Sequence, residues 1–153
     1  TETEQTIEKQ EIFQAKTPAK RLENNQAIEE AKKWAADRNI TIFKTSIKQQ
    51  GNTPMMEVHF ISPEIAVRHE IELEELSYRI GMPVTFAKSP KQNEIIRLTL
   101  QLVPASWELK KNPSIFIDRA TVGVRLNQMP SEEEINIVSE KLNEATGYVL
   151  EVS

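Results

Sequence analysis

The residue types best suited to acid–base or metal chemistry in this chain are its two histidines, His59 and His69. His59 stands near Glu57 in the alternating run MMEVHFI, and His69 precedes Glu70 in HEIEL. A metal centre needs ligands that converge, and HEIEL lacks the second histidine of the zinc-protease helix motif. Ordinary surface or boundary histidines are therefore expected, with no metal. Carboxylates are numerous: Glu70, Glu72, Glu74, Glu75, Glu132, Glu133, Glu134, Glu140 and Glu144. They fall at expected helix starts or on exposed helical faces, where they favour the macrodipole and local ion pairs rather than catalysis. No serine lies in a G-x-S-x-G elbow, and no glycine-rich loop could cradle phosphate. The expectation is a segment that is not itself an enzyme and uses no cofactor, whatever a larger parent protein does.

A partition of positive charge is the stronger signal. Lys44, Lys48, Lys110, Lys111, Arg119 and Arg125 come from expected hairpins, while the later helix of each half is acidic. Such cations can contact phosphates, with Phe43, Trp107 or Phe116 offering faces for base stacking. The competing expectation is that the aromatics are core and the lysines guard exposed strand edges. The net charge of −4 argues against a strongly basic nucleic-acid binder, though not against a local basic patch.

With 39% hydrophobic and 27% charged residues among 153, the chain suits a folded domain rather than a disordered tail. It has no cysteine, which excludes disulfides and thiolate zinc sites but fits either side of a membrane. No apolar run approaches the ~18 residues of a membrane span, and no signal peptide is visible. The first residue is Thr1 rather than a methionine, so a piece of a larger protein is expected; the expected location is cytoplasmic, with an extracytoplasmic one still open.

The elements that must position these residues can be read in order. Residues 1–21 are polar and read as a linker or arm, with docking through Ile12 and Phe13 as the alternative. Ala27, Ile28, Ala31, Trp34 and Ala35 recur at helical spacing, with Asn24 or Asn25 as cap. Ile40 to Lys48 and Met55 to Ile61 predict a hairpin around the Gly51-Asn52 turn. Ser62-Pro63-Glu64 predicts a helix start, and Gly81 its stop. Between them, Ile65, Val67 or Arg68, Ile71, Leu73, Leu76 and Ile80 are the expected helical apolar positions, and Met82 to Phe86 a short strand.

The order then recurs. Ser89-Pro90 offers another capped start, Asn93 to Val103 a helix or, as the lesser alternative given the alternation of Leu98, Leu100 and Leu102, a strand, Ser106 to Leu109 the opening of a strand, and Ile115 to Leu126 a second strand. Ser131 and Glu134 form a candidate capping box. Ile135, Val138, Leu142 and Ala145 are the expected inner face, Gly147 the stop, and Tyr148 to Val152 the last strand. At an offset of 66, Val58 meets Val124, Phe60 Leu126, Ile71 Ile137, Leu76 Leu142, Gly81 Gly147 and Phe86 Val152. An offset of 67 brings Ile28 to Ile95, Ile40 to Trp107 and Ile42 to Leu109. We therefore expect an α+β protein of two tandem α-β-β-α-β units, over residues 22–87 and 88–153. Each would be a three-stranded mixed sheet with two helices on one face.

This element order, with EELSYRIGMPVTF (Glu74 to Phe86) and EKLNEATGYVLEV (Glu140 to Val152) closing the two units, resembles tandem type II KH-like domains. The resemblance covers about Asn24 to Ser153 and lies in element order. It implies a module of a nucleic-acid-associated protein, contacting single-stranded nucleic acid through the basic hairpins. The GxxG loop by which KH domains grip a strand is missing, so no gripping residue carries over. The same order resembles ring-building modules of secretion and sporulation assemblies, which implies instead a protein partner or self-association.

Overall fold

The computed structural model describes residues 12–13 and 21–153; the remainder of the expected arm lies outside the described residues. The protein is mixed α+β with two mixed sheets, one of four strands and one of three. It divides into two compact units, residues 1–89 and 90–153.

In the first unit, β1 (Ile12–Phe13) is followed by α1 (Asn24–Asp37), the hairpin β2 (Lys44–Gln50) and β3 (Thr53–His59), α2 (Pro63–Ala66), a 3-10 turn, α3 (Glu70–Ile80) and β4 (Val84–Phe86). The sheet order is β1-β4-β3-β2, with β3 and β4 parallel and the other pairs antiparallel. The fourth strand comes from the arm: Phe13 pairs with Val84 and its ring sits 6.3 Å from Phe86. β2 begins later than expected, at Lys44: Ile40 N–H is still bonded to Ala35 O at the end of the helix, and Phe43 N–H reaches the partner strand, donating to His59 O at 2.7 Å. Gly51 turns the hairpin at a φ of 66°, a conformation that costs other side chains energy.

Small residues bring α1 close to the sheet. Ala27, Ala31 and Ala35 are buried beside Trp34, and they meet Met56, Val58, Val84 and Phe86 from the strands and Leu73, Leu76 and Ile80 from α3. Asn24 and Asn25 do not cap α1; the cap position is Glu23, and Asn24 instead accepts from Arg21 at 3.3 Å. At α2 the expected start is realised, with Ser62 Oγ accepting from Ile65 N–H at 3.2 Å, and Gly81 ends α3 at a φ of 71°. Two partly exposed ion pairs tie α1 to α3: Arg79 Nε donates to Glu30 at 2.8 Å and Arg38 Nε to Glu75 at 3.1 Å. The Glu75 carboxylate raises the Arg38 pKa above its ordinary value, chiefly by this hydrogen bond.

The second unit runs α4 (Gln92–Leu102), a 3-10 turn at Ala105–Trp107, β5 (Ser114–Phe116), a 3-10 turn at Ile117–Arg119, β6 (Thr121–Val124), α5 (Glu132–Thr146) and β7 (Val149–Val152). Its sheet order is β5-β6-β7, antiparallel then parallel. Two expectations fail here. Ser106 to Leu109 opens no strand: Leu109 makes one isolated bridge to Leu126, while Trp107 is buried. Ile115 to Leu126 is not one strand but the hairpin itself, folded at Ala120 with φ 46°. An alanine rarely marks a left-handed turn, so the sequence carried no signal for it. Ser89-Pro90 does not cap α4, whose cap position is Lys91. Ser131 does cap α5, accepting from Glu134 N–H at 3.2 Å, whereas the Glu134 carboxylate accepts the Trp107 indole N–H at 3.3 Å. Ala145 is exposed and Thr146 takes its place in the core with Val138 and Leu142.

Candidate interaction surfaces

Strand alternation gives the first sheet two unlike faces. Ile47, Met56, Val58, Val84 and Phe86 turn to the helices, which leaves Lys44, Ser46, Lys48, Glu57, His59 and Thr85 on the other face. On that face the Glu57 carboxylate is shared, one oxygen 3.0 Å from Lys48 Nζ and the other 3.0 Å from His59 Nε2. Lys44 lies opposite His59 in the antiparallel register. His69 stacks on Phe60, centroids 5.8 Å apart, and so contributes to packing. Among the described residues no three metal-ligating side chains converge.

The second sheet builds a different open face around a glycine. Ser114 is paired with Gly123, and Phe116 reaches diagonally from the next pair so that a Cβ on Gly123 would stand only 3.0 Å from Phe116 Cε2. The Arg119 guanidinium sits over the same ring, 4.3 Å from its centroid, and its Nη2 is 3.4 Å from Glu151 Oε2. At the far end of β6, Lys110 N–H donates to the Arg125 carbonyl at 2.9 Å, which brings Lys110, Lys111 and Arg125 together. No described ion pair involves these three.

A third surface lies on α3 and the turn before it. Ile71 and Tyr78, seven residues apart, share one face of α3 and are 81% and 50% exposed, and Val67 in the preceding 3-10 turn is 50% exposed. Glu70 and Glu74 flank them, both exposed. Val67 and Ile71 are thus not the core residues expected from periodicity. Leu73, Leu76 and Ile80 fill the core without them.

Last, a surface hollow of about 400 Å³ lies between α5 and the start of β7, lined by Asn136, Ser139, Glu140, Asn143, Glu144 and Val149.

The six expected phosphate-contacting residues therefore fall in different settings. Lys44 and Lys48 are on the first unit's open face, with Lys48 paired to Glu57; Arg119 is stacked and paired at one end of β6, and Lys110, Lys111 and Arg125 gather at the other. Of the expected stacking residues, Phe43 is 41% exposed, Phe116 is covered in part by Arg119, and Trp107 is buried in the core. The Phe116–Gly123 contact was missed in the sequence, although a glycine within a strand signals close approach of another group. Comparison with models of known protein families finds no match, and comparison with curated proteins finds none either.

Proposed function

We propose that the chain is built from two copies of one α-β-β-α-β unit and acts as a non-catalytic protein-interaction module. The order helix, hairpin, helix, parallel strand in each unit supports the duplication, as do the serine caps at Ser62 and Ser131 and the glycine stops at Gly81 and Gly147. The observation that carries the functional reading is the exposure of Ile71 and Tyr78 along α3 and of Val67 in the turn before it, flanked by Glu70 and Glu74. Single exposed apolar side chains are ordinary, but a set that the core does not use marks a contact surface. Its acidic flanks favour a partner with basic residues around an apolar anchor. The test is a photo-cross-linker placed at position 71 in the producing cell: a discrete protein adduct, lost when Glu70 and Glu74 are changed to lysine, is expected. No adduct, or adducts unaffected by that reversal, would overturn the reading.

The second reading is contact with single-stranded nucleic acid, and the gathered Lys110, Lys111 and Arg125 favour it. Titration of a labelled oligonucleotide decides it. Binding that weakens with salt and vanishes in the Lys110→Glu/Lys111→Glu variant would put this reading first. The KH-like element order is compatible with both and chooses neither.

A further inference from the structure

The two units treat one sheet edge differently. In the first, Ala87 N–H donates to Val58 O at 3.0 Å and Met56 N–H to Pro83 O at 3.0 Å, so the intervening Val84 and Phe86 turn their backbone groups away from β3. There β1 meets them, pairing Phe13 with Val84 and lying also against α3. In the second unit Val149 N–H donates to Ala120 O at 2.9 Å and Ser153 N–H to Val124 O at 3.0 Å. Leu150 and Val152 therefore present their backbone groups at the outer edge of β7, and no described strand pairs there. The hollow beside α5 lies at this edge.

We propose that the β7 edge binds an extended segment of a partner protein as an added strand, and that this segment carries basic side chains toward α5. The proposal rests on the protein-interaction reading and names a second site for it. Two observations fix the occupant. The residues that would meet it from α5 are polar and acidic: Ser139 and Asn143 stand where α3 has the buried Leu73 and Ser77, and Glu140 and Glu144 are exposed and join no described ion pair. The chain's own arm is a poor match, because Phe13 packs on Phe86 in the first unit and the corresponding residue in the second is Val152. Main-chain hydrogen bonds at the edge would supply affinity, and lysines opposite the glutamates the selectivity.

The test uses the full chain and the peptide acetyl-Thr-Lys-Val-Lys-Val-Lys-Thr-amide. Saturable binding that slows amide exchange at Leu150 and Val152 is expected. Glu140→Lys/Glu144→Lys should weaken it about tenfold or more, as should replacing the peptide's lysines by glutamate. Val152→Pro is the backbone control, since it removes an outward N–H and leaves the β6–β7 bonds intact; it too should lose binding while the fold persists. No slowed exchange at β7, equal binding of the acidic peptide, or preferential binding of a peptide of residues 6–17 would overturn the proposal, the last assigning the edge to a second copy of the chain. If the peptide fails while the adduct at position 71 forms, this site falls and the interaction reading stands.

Discussion

Replacing Gly123 tests whether the second unit's open face is a built contact. The Gly123 backbone is not in the left-handed region, so a side chain there meets no backbone strain, only the Phe116 ring. A new Cβ would lie 3.0 Å from Cε2 and 3.8 Å from Cζ, and the ring tip must retreat by under about 1 Å to reach ordinary contact. Alanine gains about 0.5–1 kcal/mol over glycine by restricting the unfolded chain. Against this, the displaced ring weakens its cation–π contact with Arg119, worth about 0.5–1 kcal/mol at an exposed site. Gly123→Ala should therefore be nearly neutral, within about 0.5 kcal/mol. Gly123→Val adds two methyl groups beneath the ring and should destabilise by about 1–2 kcal/mol. Urea unfolding of both variants, repeated in a Phe116→Leu background, measures the coupling. A loss above about 2 kcal/mol for the alanine variant, or a valine loss unchanged without the ring, would refute this account of the face.

Three further predictions bear on the fold and the stripe. Ile71→Ser should change stability by under about 0.5 kcal/mol, whereas Leu73→Ala, two residues away, should cost about 2–5 kcal/mol by leaving a cavity; equal effects in urea unfolding would misplace the stripe. Ser131→Ala should cost about 1 kcal/mol by freeing the Glu134 N–H, read as a lower urea midpoint with an unchanged slope. The raised pKa of Arg38 contributes stability that is fully present below the ordinary arginine range and is lost only as pH rises through the folded value above it. The stability difference between wild type and Arg38→Gln should accordingly stay flat from neutral pH to about 10, and a slope there would contradict that sign.

Much of the scaffold was legible because its signals are local. Ser62-Pro63, Ser131, Gly81 and Gly147 act within one turn, and the alternation of Met56, Val58 and Phe60 against Glu57 and His59 is a strand's own period. What stayed hidden depends on residues distant in sequence. Nothing near Ile12 and Phe13 announces pairing with Val84. The fold at Ala120 lacks the glycine or asparagine that normally marks such a turn. Helical periodicity assigned Ile71 to the core because it counts apolar residues without knowing how much surface the sheet can cover. The candidate cations could be named from sequence, but not which of them a carboxylate neutralises: Glu57 and Glu151 reach Lys48 and Arg119 only through strand register.

The acidic-flanked apolar surface around Ile71 is proposed to meet a protein. Cross-linking from position 71 in the producing cell tests it most directly. A discrete protein adduct that disappears on reversing Glu70 and Glu74 is expected. Salt-sensitive oligonucleotide binding at Lys110, Lys111 and Arg125, with no such adduct, would contradict it.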